Sequence, residues 1–322
     1  MRALVNTAPG RLELQEWPLP EPGPGLVRVK TAFCGICATD LEMIAGWERT
    51  GFPSIPGHEW SGVVDAVGAG VDSGLVGIHC VAENMLSTGG EVGFESPGGY
   101  GEYFLTEASN LYTLPGDFPL HLAALVEPLA VCIRAVQRLR ITDRRRALVF
   151  GDGTIGLLVL LVLKRAGVAE VALVGGRPFR LELARQLGAV PALDYRDEAA
   201  ILGLSKVDYP NIVEASGAEQ AMRTAFARAP HGGHVLALGD YGSGTACFTW
   251  NDLQHREIEL IGSNASAGAW EQAVRLAVSG ELPLERIATH RFPIQQYQEA
   301  FNLARDRQAN APVVRILLDW KI

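Results

Sequence analysis

The sequence predicts an α/β protein with a doubly wound parallel-sheet domain and a second, β-rich domain built from both chain ends. Short alternating apolar segments, separated by prolines and glycines, fill the first part of the chain. From Arg145 onward, apolar runs alternate with segments of helical periodicity, which is the pattern of a parallel sheet. The predicted domains are residues 1–128 together with 264–322, and residues 129–263.

Composition limits the possible functions. The chain has 322 residues, of which 48% are hydrophobic, and a net charge of −8. Because polyanions need a basic face, this acidic balance argues against binding to nucleic acid or to anionic membranes. The five cysteines are an odd number and lie far apart, so they do not suggest a disulfide framework.

The sequence also shows no targeting or membrane-spanning pattern. No charged leader followed by an apolar segment opens it, and the densest apolar run, residues 155–163, is stopped by Lys164 and Arg165. We therefore expect a cytoplasmic location as the default.

The first part of the chain is predicted to consist mainly of strands. The strand patterns cover residues 3–5, 12–14, 27–32 and 62–67, with a further turn and strand over 99–106. Over residues 120–138 the apolar spacing becomes helical, and Glu127 lies among the apolar positions.

A candidate metal site lies in this first part. Cys37, His58 and Glu59 supply a thiolate, an imidazole and a carboxylate, the ligand types that zinc accepts together. Because 21 residues separate Cys37 from His58, only the fold can bring them together. Glu127 is the acidic side chain that could complete a three-ligand site. The alternatives are a buried structural cysteine, an ordinary loop, and a carboxylate satisfied locally.

A glycine-rich turn begins the parallel-sheet domain. The apolar run 147–150 leads directly into Gly151-Asp-Gly153-Thr154-Ile155-Gly156 and an apolar helix. Glycines at these positions permit a tight turn, let backbone N–H groups approach a pyrophosphate, and allow close helix packing. Since the turn lies between a strand and a helix, it predicts dinucleotide binding in preference to a merely structural turn.

The end of the second strand of this domain indicates which dinucleotide binds. An NAD site needs an acidic residue there for the ribose 2′-hydroxyl. The strand 171–174 is instead followed by Gly175, Gly176 and Arg177, with Arg180 just beyond. A guanidinium is suited to a 2′-phosphate, so the pattern favours NADP. The alternative is that both arginines belong to a solvated helix start.

Later strands should end at the same edge of the sheet. Ligands of doubly wound sheets bind beyond the carboxyl ends of the strands, so several residues there are candidate neighbours of a nicotinamide ring: Ala215, Ser216, Gly239 and Asn264. Each of them, taken singly, could equally be an ordinary loop residue. The last segment has helical patterns over 270–278 and 296–305 and a strand pattern over 313–318, and we expect it to complete the sheet of the first domain.

Several motifs, in order, give the chain a resemblance to a known family. They are Cys-Gly-Ile-Cys-x-Thr-Asp at 34–40, Gly-His-Glu-x-x-Gly at 57–62, Glu-Pro-Leu-Ala at 127–130, the glycine turn, and Glu-Ala-Ser-Gly at 214–217. The sequence resembles a zinc-dependent medium-chain dehydrogenase/reductase, close to the sorbitol, threonine and glucose dehydrogenase branches. The resemblance implies a GroES-like catalytic domain and a Rossmann domain.

The resemblance also implies roles for individual residues. Cys37 and His58 match zinc ligands, Glu127 matches the remaining ligand, and Glu59 matches an acid that coordinates zinc directly or exchanges with water. Thr39 matches the hydroxyl that hydrogen-bonds the substrate oxygen.

Other positions follow the family less closely. Glu42 stands where a histidine often ends the proton relay, Cys34 matches no ligand and is expected to be a buried thiol, and Tyr195 matches a residue near the adenosine phosphate. Residues 81–101 lack the four cysteines of a structural zinc lobe, so one catalytic zinc per chain is expected.

The predicted function is reversible hydride transfer between NADP and a secondary alcohol, with Thr39 taking the proton and passing it on through the ribose and Glu42. Glu42 and Glu127 favour a polyol or sugar-like substrate. Four residues could line its pocket, although aromatic residues in β-rich domains are more often core: Trp47, Trp60, Glu83 and Tyr100. The resemblance also implies a homo-oligomer, a dimer or tetramer.

Three alternative functions remain open. The protein could be a zinc-free quinone or enone reductase of the same superfamily, a thiol-redox protein using Cys34 and Cys37, or a non-catalytic NADP-binding protein.

Overall fold

The structure is a computed structural model that describes residues 1–47, 49–306 and 311–320. The strands are β1 (Arg2–Ala8), β2 (Arg11–Glu16), β3 (Leu26–Gly35), β4 (Trp60–Val67), β5 (His79–Ala82), β6 (Tyr103–Glu107), β7 (Leu111–Thr113), β8 (Arg146–Phe150), β9 (Glu170–Gly175), β10 (Ala192–Asp194), β11 (Asn211–Glu214), β12 (His234–Ala237), β13 (Glu259–Gly262), β14 (His290–Pro293) and β15 (Ile316–Asp319). The α-helices are α1 (Ala38–Ala45), α2 (Leu120–Ala123), α3 (Val126–Arg138), α4 (Thr154–Arg165), α5 (Pro178–Gln186), α6 (Glu198–Gly203), α7 (Glu219–Arg228), α8 (Trp250–His255), α9 (Trp270–Ser279) and α10 (Tyr297–Arg305).

The chain forms two compact units. The β-rich unit comprises Met1–Glu127, Trp270–Ala309 and Arg315–Ile322, and the parallel-sheet unit comprises Pro128–Ala269 and Asn310–Val314. The sequence-based boundaries at 128 and 264 lie one and six residues from these divisions.

A short C-terminal segment joins the parallel-sheet unit through its backbone. The carbonyl oxygen of Val313 accepts from Arg180 Nε at 2.6 Å, and that of Val314 accepts from Thr154 Oγ1 at 3.3 Å. These two contacts explain why residues 310–314 group with the parallel sheet although the strand that follows belongs to the β-rich unit.

The parallel-sheet unit has one six-stranded sheet of order β10-β9-β8-β11-β12-β13. All neighbouring pairs are parallel. Counted within the unit, this order is 3-2-1-4-5-6, the arrangement of the Rossmann fold. Phe150 pairs with Val174 and Glu214, and Glu214 pairs with Ala237, so the carboxyl ends of the central strands meet at one edge. This register places the carboxyl ends of the strands together at the edge where parallel sheets of this kind bind ligands.

The main sheet of the β-rich unit is drawn from both chain ends. Its order is β14-β15-β3-β4-β5-β7, with β6 also paired with β3, while β1 and β2 form a separate two-stranded sheet. β15 runs antiparallel to β3, with Leu318 opposite Cys34. The prediction that the last segment returns to complete this sheet is therefore confirmed.

The predicted helix over residues 120–138 is divided in the structure. α2 ends at Ala123 and α3 begins at Val126. By length and composition alone, the stretch Leu120–Arg138 could cross a membrane, which the sequence analysis did not recognise. Since 67% of its most apolar window is buried inside the protein, its burial is that of a core helix.

Candidate metal and active site

The pairing of β3 with β4 brings the candidate metal ligands together. Cys34 at the end of β3 lies opposite Trp60 at the start of β4, and the Gly35 amide donates to the Glu59 carbonyl oxygen at 2.7 Å. Cys37 follows β3 as the N-cap of α1, while His58 and Glu59 directly precede β4. The antiparallel register therefore closes the separation of 21 residues in the sequence.

Cys37, His58 and Glu59 form a compact group of possible ligands. One ligand atom from each lies within 4.8 Å of the other two. His58 and Glu59 are 6% and 1% exposed. Glu59 Oε2 is buried and accepts no hydrogen bond from the described residues. A buried carboxylate oxygen without a donor, beside a thiol and an imidazole, fits a zinc-type cation.

Asp40 orients this group, and the sequence analysis assigned it no role. Its Oδ1 lies 3.3 Å from His58 Nδ1, while its Oδ2 accepts from the Cys37 amide at 2.8 Å and from the Tyr100 hydroxyl at 3.0 Å. The geometry of the Asp40–His58 contact is not that of a hydrogen bond, but a carboxylate beside Nδ1 favours a proton on that nitrogen and leaves Nε2 available as the ligand atom. The signal in the sequence was an acidic residue three positions after Cys37, at the start of a helix.

The same carboxylate controls the charge of His58. Burial disfavours the imidazolium, but the nearby Asp40 and Cys37 outweigh burial and raise the pKa of His58 well above its usual 6.5. In the absence of a cation the ring therefore favours its protonated form, and a cation must displace that proton.

Arg315 is a second residue that the sequence analysis did not identify. Its Nη2 lies 3.1 Å from Glu59 Oε1, and its Nη1 donates to the Ile36 carbonyl oxygen at 2.6 Å. Burial lowers the pKa of this guanidinium, but the charges of Glu59 and Cys37 more than offset it and leave the pKa raised. Its only signal in the sequence was a single arginine inside the apolar run at 313–318.

Glu127 lies near the group but not within it. Among the described residues, only Cys37, His58 and Glu59 form a set with ligand atoms all within 4.8 Å. Burial is the main cause that raises the pKa of Glu127 to about 7, with His58 opposing and Glu59 reinforcing the shift. Glu127 is therefore close enough to His58 and Glu59 for their charges to shift its pKa.

The predicted proton-transfer residues lie on α1. Thr39 Oγ1 lies 3.7 Å from Cys37 Sγ, and Thr39 is half-buried. Glu42 follows three residues later, on the same side of the helix, and is exposed. A hydroxyl beside the thiol and a solvent-exposed carboxylate one turn away are suited to passing a proton outward.

Aromatic side chains near the site have different roles. Tyr100 and Trp60 are 0% and 3% exposed and belong to the core, whereas Trp47 is 39% exposed. Phe94, which the sequence analysis did not consider, packs against His58 with ring centroids 4.8 Å apart. The Arg49 guanidinium lies 4.4 Å from the centre of the Phe94 ring and is bound by Glu91 and Glu95.

Cys34 is a buried structural thiol. It is 0% exposed, and its Sγ donates to the carbonyl oxygen of Gly35 at 3.7 Å. Burial, reinforced by Asp40 and Glu59, raises the pKa of this thiol well above its usual 9.0. None of the five cysteines is in a disulfide. A reactive thiolate at Cys34 is therefore disfavoured.

The glycine turn is tight and leaves open space at the N-terminus of α4. Gly151 has φ +117°, and a Cβ on Gly156 would overlap the Gly151 carbonyl oxygen. A Cβ on Gly153 would meet nothing within 4 Å. The protein itself therefore does not require a glycine at 153, but a ligand approaching the N-terminus of α4 would. Thr154 and Ile155 form the first turn of that helix.

The end of β9 carries an acidic group that the sequence analysis missed. The Asp152 Oδ2 accepts from the Gly176 and Arg177 amides at 2.8 Å each. The expectation that no carboxylate lies at this strand end is therefore wrong, because the carboxylate comes from the preceding turn. The sequence analysis considered only residues that follow the second strand.

Basic and aromatic groups lie at the same end. Tyr195 is 63% exposed, and a Cβ on Gly176 would overlap its ring. Arg196 is exposed, binds both carboxylate oxygens of Asp194, and donates to the Gly176 carbonyl oxygen at 2.7 Å. Arg180 donates to Val313, so its guanidinium has a structural contact. The sequence analysis included Arg177 and Arg180 but not Arg196.

The predicted nicotinamide neighbours follow three strands of the same sheet. Ala215 and Ser216 follow β11, Gly239 follows β12, and Asn264 follows β13 and is exposed. The buried Glu214 carboxylate fixes this edge by accepting from the Ser216 amide at 2.8 Å, from the Ser216 hydroxyl and from the Tyr241 hydroxyl. The structure brings all four residues to the carboxyl edge of the sheet.

A Rossmann unit with a glycine turn and a β-rich unit with a Cys-His-Glu group define the class of nicotinamide-dependent dehydrogenases. Residues 23–116 match the alcohol dehydrogenase GroES-like domain, and residues 154–279 match the zinc-binding dehydrogenase family. The chain belongs to this family of zinc-binding, medium-chain alcohol dehydrogenases, as its motifs indicated.

Relatives with assigned dehydrogenase activities match nearly the full chain. An L-threonine 3-dehydrogenase of Anaeromyxobacter sp. is 29% identical, covering 99% of each chain. A D-altritol 5-dehydrogenase of Agrobacterium fabrum is 30% identical, covering 92% of this chain and 94% of the relative. The sorbitol dehydrogenase of Ovis aries is 30% identical, covering 94% and 93%.

Solved structures share the fold over the full length. An alcohol dehydrogenase of E. coli CFT073 in complex with NADH has a TM-score of 0.92 at 25% identity and covers 99% of both chains. Galactitol-1-phosphate dehydrogenase from Escherichia coli has a TM-score of 0.88 at 26% identity, covering 99% of this chain and 100% of that one. The predicted combination of GroES-like and Rossmann domains is confirmed.

Proposed function

We propose that the protein is a zinc-dependent dehydrogenase that transfers hydride between NADP and a secondary alcohol of the polyol or sugar type. The observation that carries this proposal is the group of the half-buried Cys37 with the buried His58 and Glu59, in which one carboxylate oxygen accepts no hydrogen bond from the described residues. The β-rich unit is then the catalytic domain, and the parallel-sheet unit is the NADP-binding domain.

The chain supplies a defined ligand set. Cys37 Sγ, His58 Nε2 and Glu59 Oε2 would hold the metal, with Glu127 as the remaining carboxylate. When bound there, zinc supplies a Lewis acid that lowers the pKa of a substrate hydroxyl. Asp40 lies beside His58 Nδ1, and Arg315 pairs with one oxygen of Glu59, so His58 Nε2 and the other Glu59 oxygen would remain for a cation.

Thr39 and Glu42 are proposed to move the proton. The Thr39 hydroxyl lies beside Cys37 and can accept a hydrogen bond from a substrate hydroxyl. Glu42, exposed one turn further along α1, would exchange the proton with solvent. A nicotinamide bound at the carboxyl edge of the parallel sheet would supply the acceptor for the hydride.

The proposed cofactor contacts lie in the parallel-sheet unit. Backbone amides at the α4 N-terminus, from Gly153 to Gly156, would bind the pyrophosphate. A preference for NADP is supported by the arginines Arg177 and Arg196 near the end of β9, although the Asp152 carboxylate from the preceding turn lies at the same end. Tyr195 offers an exposed ring for the adenosine.

The substrate class rests on relatives and on carboxylates of the site. The relatives include dehydrogenases of D-altritol and sorbitol, both polyols. Glu42 and Glu127 add acceptors for further hydroxyl groups of such a substrate.

We further propose a homo-oligomer, a dimer or tetramer, located in the cytoplasm. The edge strand β13 supports association, because Leu260 on it is 44% exposed. Light scattering during gel filtration tests the oligomeric state.

One experiment tests the central proposal. Chelator-free protein is analysed for metals and screened against polyols, aldoses and short secondary alcohols with NADP and NAD. We expect about one zinc per chain and NADP-dependent oxidation of a polyol. A metal-free protein that reduces quinones or enones would contradict the proposal, and so would nicotinamide binding without turnover of any substrate.

A further inference from the structure

Asp152 lies between the first two glycines of the turn, and its role as inferred here rests on the proposed cofactor-binding role of the parallel-sheet unit. Asp152 Oδ2 accepts hydrogen bonds of 2.8 Å from two consecutive amides, those of Gly176 and Arg177. Its other oxygen, Oδ1, accepts no hydrogen bond within the described part of the chain. One oxygen is therefore fixed, and the other remains able to accept.

The position of this carboxylate is built into the fold. A Cβ on Gly175 would come within 2.5 Å of Asp152 Cβ and Oδ2, so only glycine leaves room for the carboxylate there. The next residue, Gly176, gives room in the same way to the Tyr195 ring. The two glycines therefore make room for Asp152 and Tyr195, and this holds whether or not the cofactor carries a 2′-phosphate.

We propose that Asp152 is a specificity-determining residue for the cofactor. NAD-binding domains carry an acidic residue at the end of the second strand, and Asp152 would take the place of that residue from the preceding glycine turn. Its Oδ1 would accept from a ribose 2′-hydroxyl, as such an acid does. Against a 2′-phosphate it acts in two ways: it repels the like charge, and it occupies the Gly176 and Arg177 amides that a phosphate would use.

Two nearby arginines reduce the effect of Asp152 on the binding of a 2′-phosphate. Arg196 lies at the Gly176 carbonyl oxygen, and Arg177 begins α5 at the same place. Asp194 neutralises part of the Arg196 charge, and the positive charge that remains favours the 2′-phosphate, while Asp152 opposes it. The protein should therefore accept NAD as a working cofactor alongside NADP, with Asp152 limiting the preference.

Binding measurements test the proposal independently of turnover. NADH and NADPH are titrated separately into the purified protein, following nicotinamide fluorescence, and the ratio of the two dissociation constants is compared between variants. Asp152→Asn keeps the size of the side chain and an acceptor oxygen but removes the charge. We expect it to shift the ratio towards NADPH by about tenfold or more.

Two further variants make the result decisive. Asp143→Asn removes an equal charge just before β8, at the opposite edge of the same sheet, and should leave the ratio unchanged. If Asp152→Asn does not fold, Asp152→Ser provides the same test with a hydroxyl acceptor. The adenosine fragments 5′-AMP and 2′,5′-ADP should show the same shift as the full cofactors.

The possible results of these titrations test the role of Asp152 and the assignment of NADP separately. An unchanged ratio in folded Asp152 variants would overturn the role of Asp152, whichever cofactor the unmodified protein prefers. A strong preference of the unmodified protein for NADH would instead overturn the NADP assignment, and a shift in the Asp152→Asn ratio would still support the role of Asp152.

Discussion

Arg315 and Glu59 form an ion pair inside the β-rich unit, with Nη2 and Oε1 3.1 Å apart and both side chains almost fully buried. Replacing one partner of such a pair leaves an uncompensated buried charge, which costs about 3–5 kcal/mol. We expect Arg315→Ala to lower the free energy of unfolding by this amount and to weaken zinc binding. Denaturant unfolding and zinc titration measure the two effects.

A surface pair provides the control for that experiment. Arg145 and Asp143 are paired near the protein surface, where ion pairs contribute little. Arg145→Ala should leave unfolding nearly unchanged. Equal effects of the two substitutions would show that the pair between Arg315 and Glu59 has no special role.

The pH dependence of zinc binding follows from two raised pKa values. In the metal-free protein the pKa of His58 lies well above 6.5 and that of Glu127 is about 7. Both groups must lose a proton to bind a cation, so zinc affinity should rise as the pH increases from 6 to 8.

The same two groups make the metal-free protein less stable as the pH rises, which is opposite to their effect on zinc affinity. Because folding raises both pKa values, the stability that these groups contribute is present at low pH and is lost as the pH rises through their folded-state values. The increase in Tm caused by zinc should therefore be larger at pH 8 than at pH 6. A larger increase at pH 6 would contradict the assignment of His58 and Glu127 to the metal site.

Asp40 should act through His58. Asp40→Asn keeps a hydrogen-bonding group of the same size beside Nδ1 but removes the charge, so zinc affinity should fall by about 10- to 100-fold. The pKa of His58 should fall as well, which a histidine titration followed by NMR on metal-free protein measures. An unaltered His58 titration would show that Asp40 only supports the Cys37 amide and the Tyr100 hydroxyl.

Two glycines of the turn should respond differently to alanine. A Cβ on Gly156 would overlap the Gly151 carbonyl oxygen, so Gly156→Ala should destabilise the protein by about 1–3 kcal/mol. Gly153 has φ −75° and open space around its Cβ position, so Gly153→Ala should be neutral or stabilise by about 0.4–1 kcal/mol. Thermal unfolding compares the two variants.

Cofactor binding tests a second role of Gly153, which is to leave room for the pyrophosphate. If the open space at this position admits the pyrophosphate, Gly153→Ala should weaken NADPH and NADH binding together, without loss of stability. Unchanged binding of both would exclude this turn as the pyrophosphate site.

The thiol-redox alternative makes a distinct prediction. Cys34 is fully buried, so Cys34→Ala should retain dehydrogenase activity, whereas His58→Ala should abolish it. Activity that survives His58→Ala but not Cys34→Ala would favour redox chemistry of the Cys34 and Cys37 pair. Steady-state rates with the substrate found in the screen decide between them.

Patterns that depend on neighbouring residues could be predicted from the sequence. Alternating segments gave β1 to β4, the strand–glycine–helix order gave β8 and α4, and the fold class is confirmed. Helix α1 was missed because Cys37 and Thr39 were analysed for chemistry, and Asp40 was not considered as part of a helix start. The break between α2 and α3 was missed because apolar spacing continues through it.

Site residues that depend on distant contacts could not be found in this way. Arg315 binds Ile36 from 279 positions away, and no local pattern specifies which carboxylate such an arginine will meet. Asp152 was missed for a related reason. Its side chain reaches the end of the next strand only because Gly175 leaves space for it.

Among the described residues, the two carboxylates of Asp40 and Glu59 and the guanidinium of Arg315 lie around the Cys37 thiol and the His58 ring. Once His58 loses its proton, the two carboxylates outweigh the one guanidinium in charge. The group then attracts any divalent ion that accepts nitrogen, sulfur and oxygen together, and cobalt, nickel and copper do so as well as zinc. The ion carried by a given preparation should therefore vary with the metals supplied during growth.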